Sequence, residues 1–158
     1  MPDTRLILDN IRSTHNVGSI FRTADAAGVS KIYCIGTTPA PVDRFGRKRR
    51  DVAKVSLGAE DAVAWEHSED GVKLIKTLKK DGFSIVALEQ DRRSVDYRDI
   101  SFSDKNTKLA VILGNEMGGV SEELLKRSDM IIEIPMKGKK ESLNVSVVTG
   151  IILFHLNR

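Results

Sequence analysis

Ser142 and Asn144 stand two residues apart between two apolar runs, just after the polar loop Lys137 to Glu141. The run before them, Met130 to Ile134, is short, rich in isoleucine and closed by Pro135, as in a buried strand. The run after them, from Val145, is apolar at Val147, Val148, Ile151, Ile152 and Leu156, with Val145, Leu153 and Phe154 on other faces. A helix apolar nearly all round is buried on several sides or against a partner. Ser142 and Asn144 are thus predicted at the mouth of a buried helix, just beyond a buried strand, where open α/β folds bind ligands.

A second group is Gly114-Asn115-Glu116-Met117-Gly118-Gly119, directly after the apolar run Lys108 to Leu113. Glycines at the end of a parallel strand offer backbone N–H groups and close approach to a ligand. The dinucleotide fingerprint is excluded because Glu116 holds the place of its second glycine. A P-loop is excluded because Val120 stands where the lysine must be, and the Glu116 carboxylate would repel a polyphosphate. Taken alone, this stretch reads as a tight turn that reverses the chain.

The third group is His15 to Thr23, in which Asn16 reads as a helix cap, Gly18 as a packing glycine and Arg22 as a surface charge. The fourth is basic: Arg44, Arg47, Lys48, Arg49 and Arg50 put five positive charges in seven residues around Phe45. Such a patch suits phosphate contacts, which give affinity rather than sequence choice.

The elements that must position these groups follow from patterning. Strands are predicted at Arg5–Ile11, Lys31–Ile35, Phe83–Leu88, Lys108–Leu113 and Met130–Ile134. Helices are predicted from Asn16 to a stop at Gly28, over Glu69–Lys80, over Ser121–Lys126 with Ser121 as cap, and from Val145. Thr37 to Asp51 carries two prolines and is predicted as a loop, while Leu57 to Trp65 follows no clear period. Alternating strands and helices indicate an α/β domain with a mostly parallel sheet.

The 158 residues fit one domain, with 41% hydrophobic and 30% charged residues and a net charge of +3. A lone cysteine, Cys34, excludes an internal disulfide, and His15, His67 and His155 make no metal-ligand spacing with it. No apolar run is long enough to span a bilayer, so a cytoplasmic protein without a metal or membrane role is expected.

Taken in order, three motifs resemble the SpoU (TrmH) family of the SPOUT superfamily, S-adenosylmethionine-dependent RNA ribose 2′-O-methyltransferases. They are Asn16-Val17-Gly18-Ser19-Ile20-Phe21-Arg22-Thr23, then Ile112-Leu113-Gly114-Asn115-Glu116-Met117-Gly118-Gly119, then Ile134-Pro135-Met136 with Ser142-Leu143-Asn144-Val145-Ser146. The resemblance spans nearly the whole chain. It implies a single SPOUT methyltransferase domain over residues 1–158, with helices on both faces of the sheet and a deep C-terminal trefoil knot. It also implies a homodimer with the first and last helices at its interface.

By this likeness S-adenosylmethionine is held by Leu88 and Glu89, by Gly114, Asn115 and Glu116, and by Ile134, Met136, Leu143 and Asn144. Arg22, Asn16, Glu116, Ser142 and Asn144 match the catalytic positions, the arginine being supplied across the dimer interface. No separate RNA-binding domain is recognised before Arg5 or after the last helix. The core itself is therefore expected to recruit RNA, through Arg12 and the loop Arg44, Arg47, Lys48, Arg49 and Arg50. The expected substrate is tRNA, with ribosomal RNA, or RNA binding without catalysis, as the alternatives. The motifs do not name the nucleotide.

Overall fold

The computed structural model describes residues 2–102, 104 and 106–157. Strands β1 (Asp3–Asp9), β2 (Lys31–Ile35), β3 (Ala64–Ser68), β4 (Ser84–Leu88), β5 (Val95–Asp96), β6 (Lys108–Leu113) and β7 (Met130–Glu133) form one sheet in the order β3-β2-β1-β6-β4-β7-β5. Every pairing is parallel. Helices α1 (Thr14–Ala26), α2 (Arg50–Ser56), α3 (Ala59–Ala62), α4 (Gly71–Lys80), α5 (Glu122–Leu125) and α6 (Val145–Leu156) cover it.

Side chains alternate across a strand, so each central strand feeds two cores. Leu6, Leu8, Val86 and Val111 pack on one face with Phe21 of α1, Val52 of α2 and Ile152 of α6. Ile7, Ile85, Ala87 and Ile112 pack on the other with Leu74, Ile75 and Leu78 of α4 and Leu124 of α5. This is why the central strands read as unbroken apolar runs. The two-faced α/β architecture expected from the sequence is the one observed.

Strand β7 lies between β4 and β5, which follow each other in the chain. A late segment therefore inserts beside an early connection, residues 89–94. That placement is consistent with the expected knot, and it brings the loop after β7 against the ends of β4 and β6.

Local chemistry moves several predicted boundaries. Ser13, not Asn16, caps α1: its hydroxyl accepts from the Asn16 N–H at 3.1 Å. Asn16 thus lies in the first turn, with its amide free for other partners. Gly18 packs α1 on α2, since a Cβ there would sit 2.7 Å from the Val52 carbonyl oxygen. The predicted loop ends two residues early, because Arg50 opens α2. The unassigned stretch before Trp65 holds α3 and the start of edge strand β3. The fourth helix begins at Gly71 rather than Glu69, where Asp70 accepts from the Lys73 N–H at 2.9 Å. No helix among the described residues is long and apolar enough to cross a membrane.

Candidate active site

A cleft of about 550 Å³ opens at the C-terminal ends of β4, β6 and β7, beside the first turn of α6. Its floor is the turn after β6. A Cβ on Gly114 would lie 2.2 Å from the Gly119 carbonyl carbon and the Val120 nitrogen, so no other residue fits. The turn closes on itself: the Asn115 N–H donates to Gly119 O at 3.0 Å and the Gly119 N–H to Asn115 O at 2.8 Å. The Asn115 side-chain oxygen accepts from the N–H groups of Met117 (2.8 Å) and Gly118 (3.2 Å). Two acids pin the far limb. Glu89 accepts from Val120 N–H and Asp9 from Ser121 N–H, both at 2.8 Å.

On the wall, one relay joins three segments far apart in sequence. Asn144 donates its amide to the Asn16 side-chain oxygen at 3.1 Å, and Asn16 donates to Glu116 at 3.1 Å. Glu116 also accepts from the backbone N–H groups of Arg12 and Ser13, each at 3.3 Å. Burial pushes the Glu116 carboxyl up, but these hydrogen bonds outweigh it and hold it below the usual glutamate range. Asn144 meanwhile caps α6, accepting from Ser146 N–H at 2.9 Å. The relay therefore ties the first turn of α1 and the first turn of α6 to the glycine turn.

The predicted ligand residues Leu88, Glu89, Gly114, Asn115, Glu116, Ile134, Met136, Leu143 and Asn144 all line this cleft, as does Ser142. The charged residues of the lining are Glu89, Glu116 and Glu133, all acidic. A glycine-floored cleft of mixed polarity whose charges are all carboxylates disfavours polyphosphate and suits a cationic or zwitterionic ligand.

The profile of the SpoU rRNA Methylase family matches residues 3–154. The chain belongs to that family. Over 156 residues it is 36% identical to the tRNA (guanosine(18)-2′-O)-methyltransferase of Aquifex aeolicus, covering 99% of this chain and 69% of that protein. It is 35% identical to the enzyme of the same name from Thermus thermophilus, covering 99% and 75%. Among solved structures, the AdoMet-bound rRNA methyltransferase of Sinorhizobium meliloti superposes with a TM-score of 0.85 at 32% identity, covering 97% of this chain but 55% of that one.

Arg22 stands apart in this SpoU methylase. It is exposed and outside the cleft lining. Six residues along α1 from Asn16 amount to about 9 Å of rise and roughly 240° of turn, so one chain does not bring the two together. The exposed face nearby is apolar: Val147 and Phe154 of α6 are 51% and 58% exposed.

The basic loop lies elsewhere, beyond β2. Arg12 is exposed on the ridge between it and the cleft. Arg47 pairs with Asp43 at 2.9 Å, Arg49 with Asp51 at 3.1 Å, and Lys48 with Glu60 and Asp61 at 2.9 and 3.0 Å. Much of the loop's charge is thus offset by acids, two of them on α3. Arg44 and Arg50 are exposed.

Sequence reasoning missed Asp9 and Asn10. Asp9 is 2% exposed, and Asn10 adopts a left-handed φ of 53° so that its carbonyl accepts from Asn115 Nδ2 at 2.5 Å. The signal was present: an acid and an amide ending an apolar strand have to be satisfied by something. Among the described residues no cluster of three or more His, Cys, Asp or Glu is placed to hold a metal ion.

Proposed function

We propose that this chain transfers the methyl group of S-adenosylmethionine to a ribose 2′-hydroxyl of RNA, with tRNA as the favoured substrate. The observation that carries the reading is the cleft: a glycine turn without room for a Cβ, an all-acidic set of charges, and the Asn144–Asn16–Glu116 relay at its rim. These residues fit the cofactor. The carboxylates suit a sulfonium, and the close-packed glycine turn with Leu88, Ile134 and Leu143 beside it suits an adenosine. When bound, S-adenosylmethionine supplies a methyl group already activated for displacement.

The chain's own residues then have to align a hydroxyl with that methyl. Ser142 and Asn144 sit at the rim to position the ribose. Glu116, with three N–H groups on its carboxylate, anchors the start of α1 rather than accepting a proton. Arg22 comes from a second copy, seated through the apolar strip of α6, in a homodimer. A guanidinium stays protonated and offers only donors, so its role is to hold the adjacent phosphate and stabilise developing alkoxide charge. The domain spans residues 1–158, is knotted at its C-terminus and works in the cytoplasm.

Relatives from Aquifex and Thermus support tRNA; the family description and the Sinorhizobium structure support ribosomal RNA as the second reading. The test is transfer of labelled methyl from S-adenosylmethionine to total tRNA and, separately, to deproteinised ribosomal RNA. Alkali-resistant label in tRNA, lost at least roughly a hundredfold in Arg22→Ala with cofactor affinity unchanged, is expected. Label confined to ribosomal RNA moves the substrate class. Absence of both label and cofactor binding overturns the enzyme reading. Mixing inactive Arg22→Ala with inactive Asn144→Ala subunits restores activity only if the arginine acts across an interface.

A further inference from the structure

A second cleft, of about 760 Å³, lies at the C-terminal ends of β2 and β3, on the same edge of the sheet as the first. Its outer wall is the tip of the basic loop. Residues 42 and 48 pair as an antiparallel bridge, which makes 43–47 a pinched hairpin end. The Asp43 carboxylate accepts from the N–H groups of Phe45 (2.8 Å) and Arg47 (3.0 Å), and from the Arg47 guanidinium at 2.9 Å. This fixes Phe45 at the tip, 66% exposed, with the Arg44 and Arg47 guanidiniums 4.8 and 5.0 Å from its ring centre. The inner wall is Trp65 and His67, two apart on β3, with His67 Nε2 donating to the Gly36 carbonyl at 2.9 Å.

This exposed phenylalanine has two guanidiniums close to its ring and packs into no core. Unstacked RNA bases are recognised by aromatic rings and guanidinium planes, with neighbouring cations taking the phosphates. We infer that this second cleft, walled by Phe45, Arg44, Arg47 and Trp65, is a subsite for an unstacked nucleotide of the same RNA whose ribose is methylated in the first.

The inference rests on the RNA reading of the first cleft and adds a location to it. Between the two clefts runs only β1 and its exit, Asn10 to Arg12. Between three and four strand spacings separate their centres, roughly 17 Å. Asn10 touches both sides, accepting from the Thr37 N–H at 3.0 Å through its side chain and from Asn115 through its carbonyl. Arg12 on the ridge between them is placed for the intervening phosphate.

Trp65 is the chain's only tryptophan, so its fluorescence reports on this cleft alone. The full chain is titrated with single-stranded oligoadenylate, oligouridylate and an abasic ribose-phosphate oligomer of equal length. Quenching by the base-bearing strands, stronger for adenylate, is expected. Phe45→Ala is expected to weaken it roughly tenfold, and Phe45→Tyr to restore it. S-adenosylmethionine affinity should not change in either variant, and circular dichroism checks that both are folded. Equal quenching by the abasic strand makes the loop a phosphate patch only and overturns the subsite. So does methylation of RNA with the Trp65 signal and the Phe45→Ala KM both unmoved, an outcome that leaves the catalytic reading standing. Phe45-dependent quenching without any methyl transfer does the reverse, keeping the subsite and removing the catalytic reading.

Discussion

The two clefts share one edge of one sheet and are built by opposite means. The first is shaped by backbone: its turn has no room for a Cβ at Gly114, and its N–H groups are taken by acids 31 and 112 residues away. The second is shaped by side chains, through bonds that mostly stay within four residues of Asp43. Long-range backbone bonding gives one rigid outline that admits one ligand. Local side-chain bonding on a loop gives a surface that tolerates different bases while keeping its charge. A fixed cofactor and a variable polymer call for those two solutions.

The sharpest way to break this contrast is Gly114→Ala. The added methyl meets backbone, which cannot swing aside, so S-adenosylmethionine affinity should fall on the order of a hundredfold or more by calorimetry. Normal binding would mean that the first cleft is as pliable as the second. Next comes Asn16→Ala, which removes the middle of the relay and leaves Glu116 and Asn144 each short of a partner. A drop of roughly tenfold or more in methyl-transfer kcat, with a smaller change in cofactor affinity, is expected.

What could be read in advance divides along the same line. Central strands such as Ile32–Ile35 and Leu109–Leu113 were legible because burial on both faces leaves an unbroken apolar run. Edge strand β3 was not: Ala64-Trp65-Glu66-His67-Ser68 is largely exposed, and its place depends on pairing with β2. Helix α2 hid in the basic loop because its buried residues are only Val52 and Ser56. The residues around the first cleft were legible as a set because three motifs fell in order. The relay was not, since it needs Asn16 in the first turn rather than at the cap. Nor were the ion pairs of the basic loop, because Glu60 and Asp61 lie on a helix that composition did not reveal.

Glu60 holds the loop's side of the contrast. It is 4% exposed and accepts from Gly58 N–H at 2.9 Å, from Ser56, and from Lys48 at 2.9 Å, anchoring the loop to α3. Burial pushes its carboxyl up, but hydrogen bonds from Ser56 and Lys48 win and bring it from 4.5 to about 2. Glu60→Gln should cost about 2 kcal/mol, less than a fully buried pair because Lys48 is half exposed. A folded-state value below the unfolded one means the contribution is complete above about pH 4.5. The gap between wild type and variant should therefore close as pH falls toward 2, followed by thermal melts across that range. A gap that widens in acid would contradict the pairing.

Gly46→Ala is the mildest change and the counterpart of the first. Gly46 has a φ of 75° but nothing within 4 Å of its would-be Cβ, so the cost is backbone strain alone, about 1–2 kcal/mol. A thermal melt should show it, with cofactor binding unaltered. Loss of binding there would show that the two clefts are coupled more tightly than Asn10 alone allows.

The position of β7 between β4 and β5 also sets an order of events during synthesis. A ribosome delivers residues from the amino end, so β1, β4, β6 and the glycine turn emerge while the segment that completes their cleft is still in the exit tunnel. Asn144, the far end of the relay, arrives later still. A truncated or stalled chain thus displays most of the sheet and none of the finished ligand site, and binding of the methyl donor becomes a report that the segment through α6 has left the ribosome.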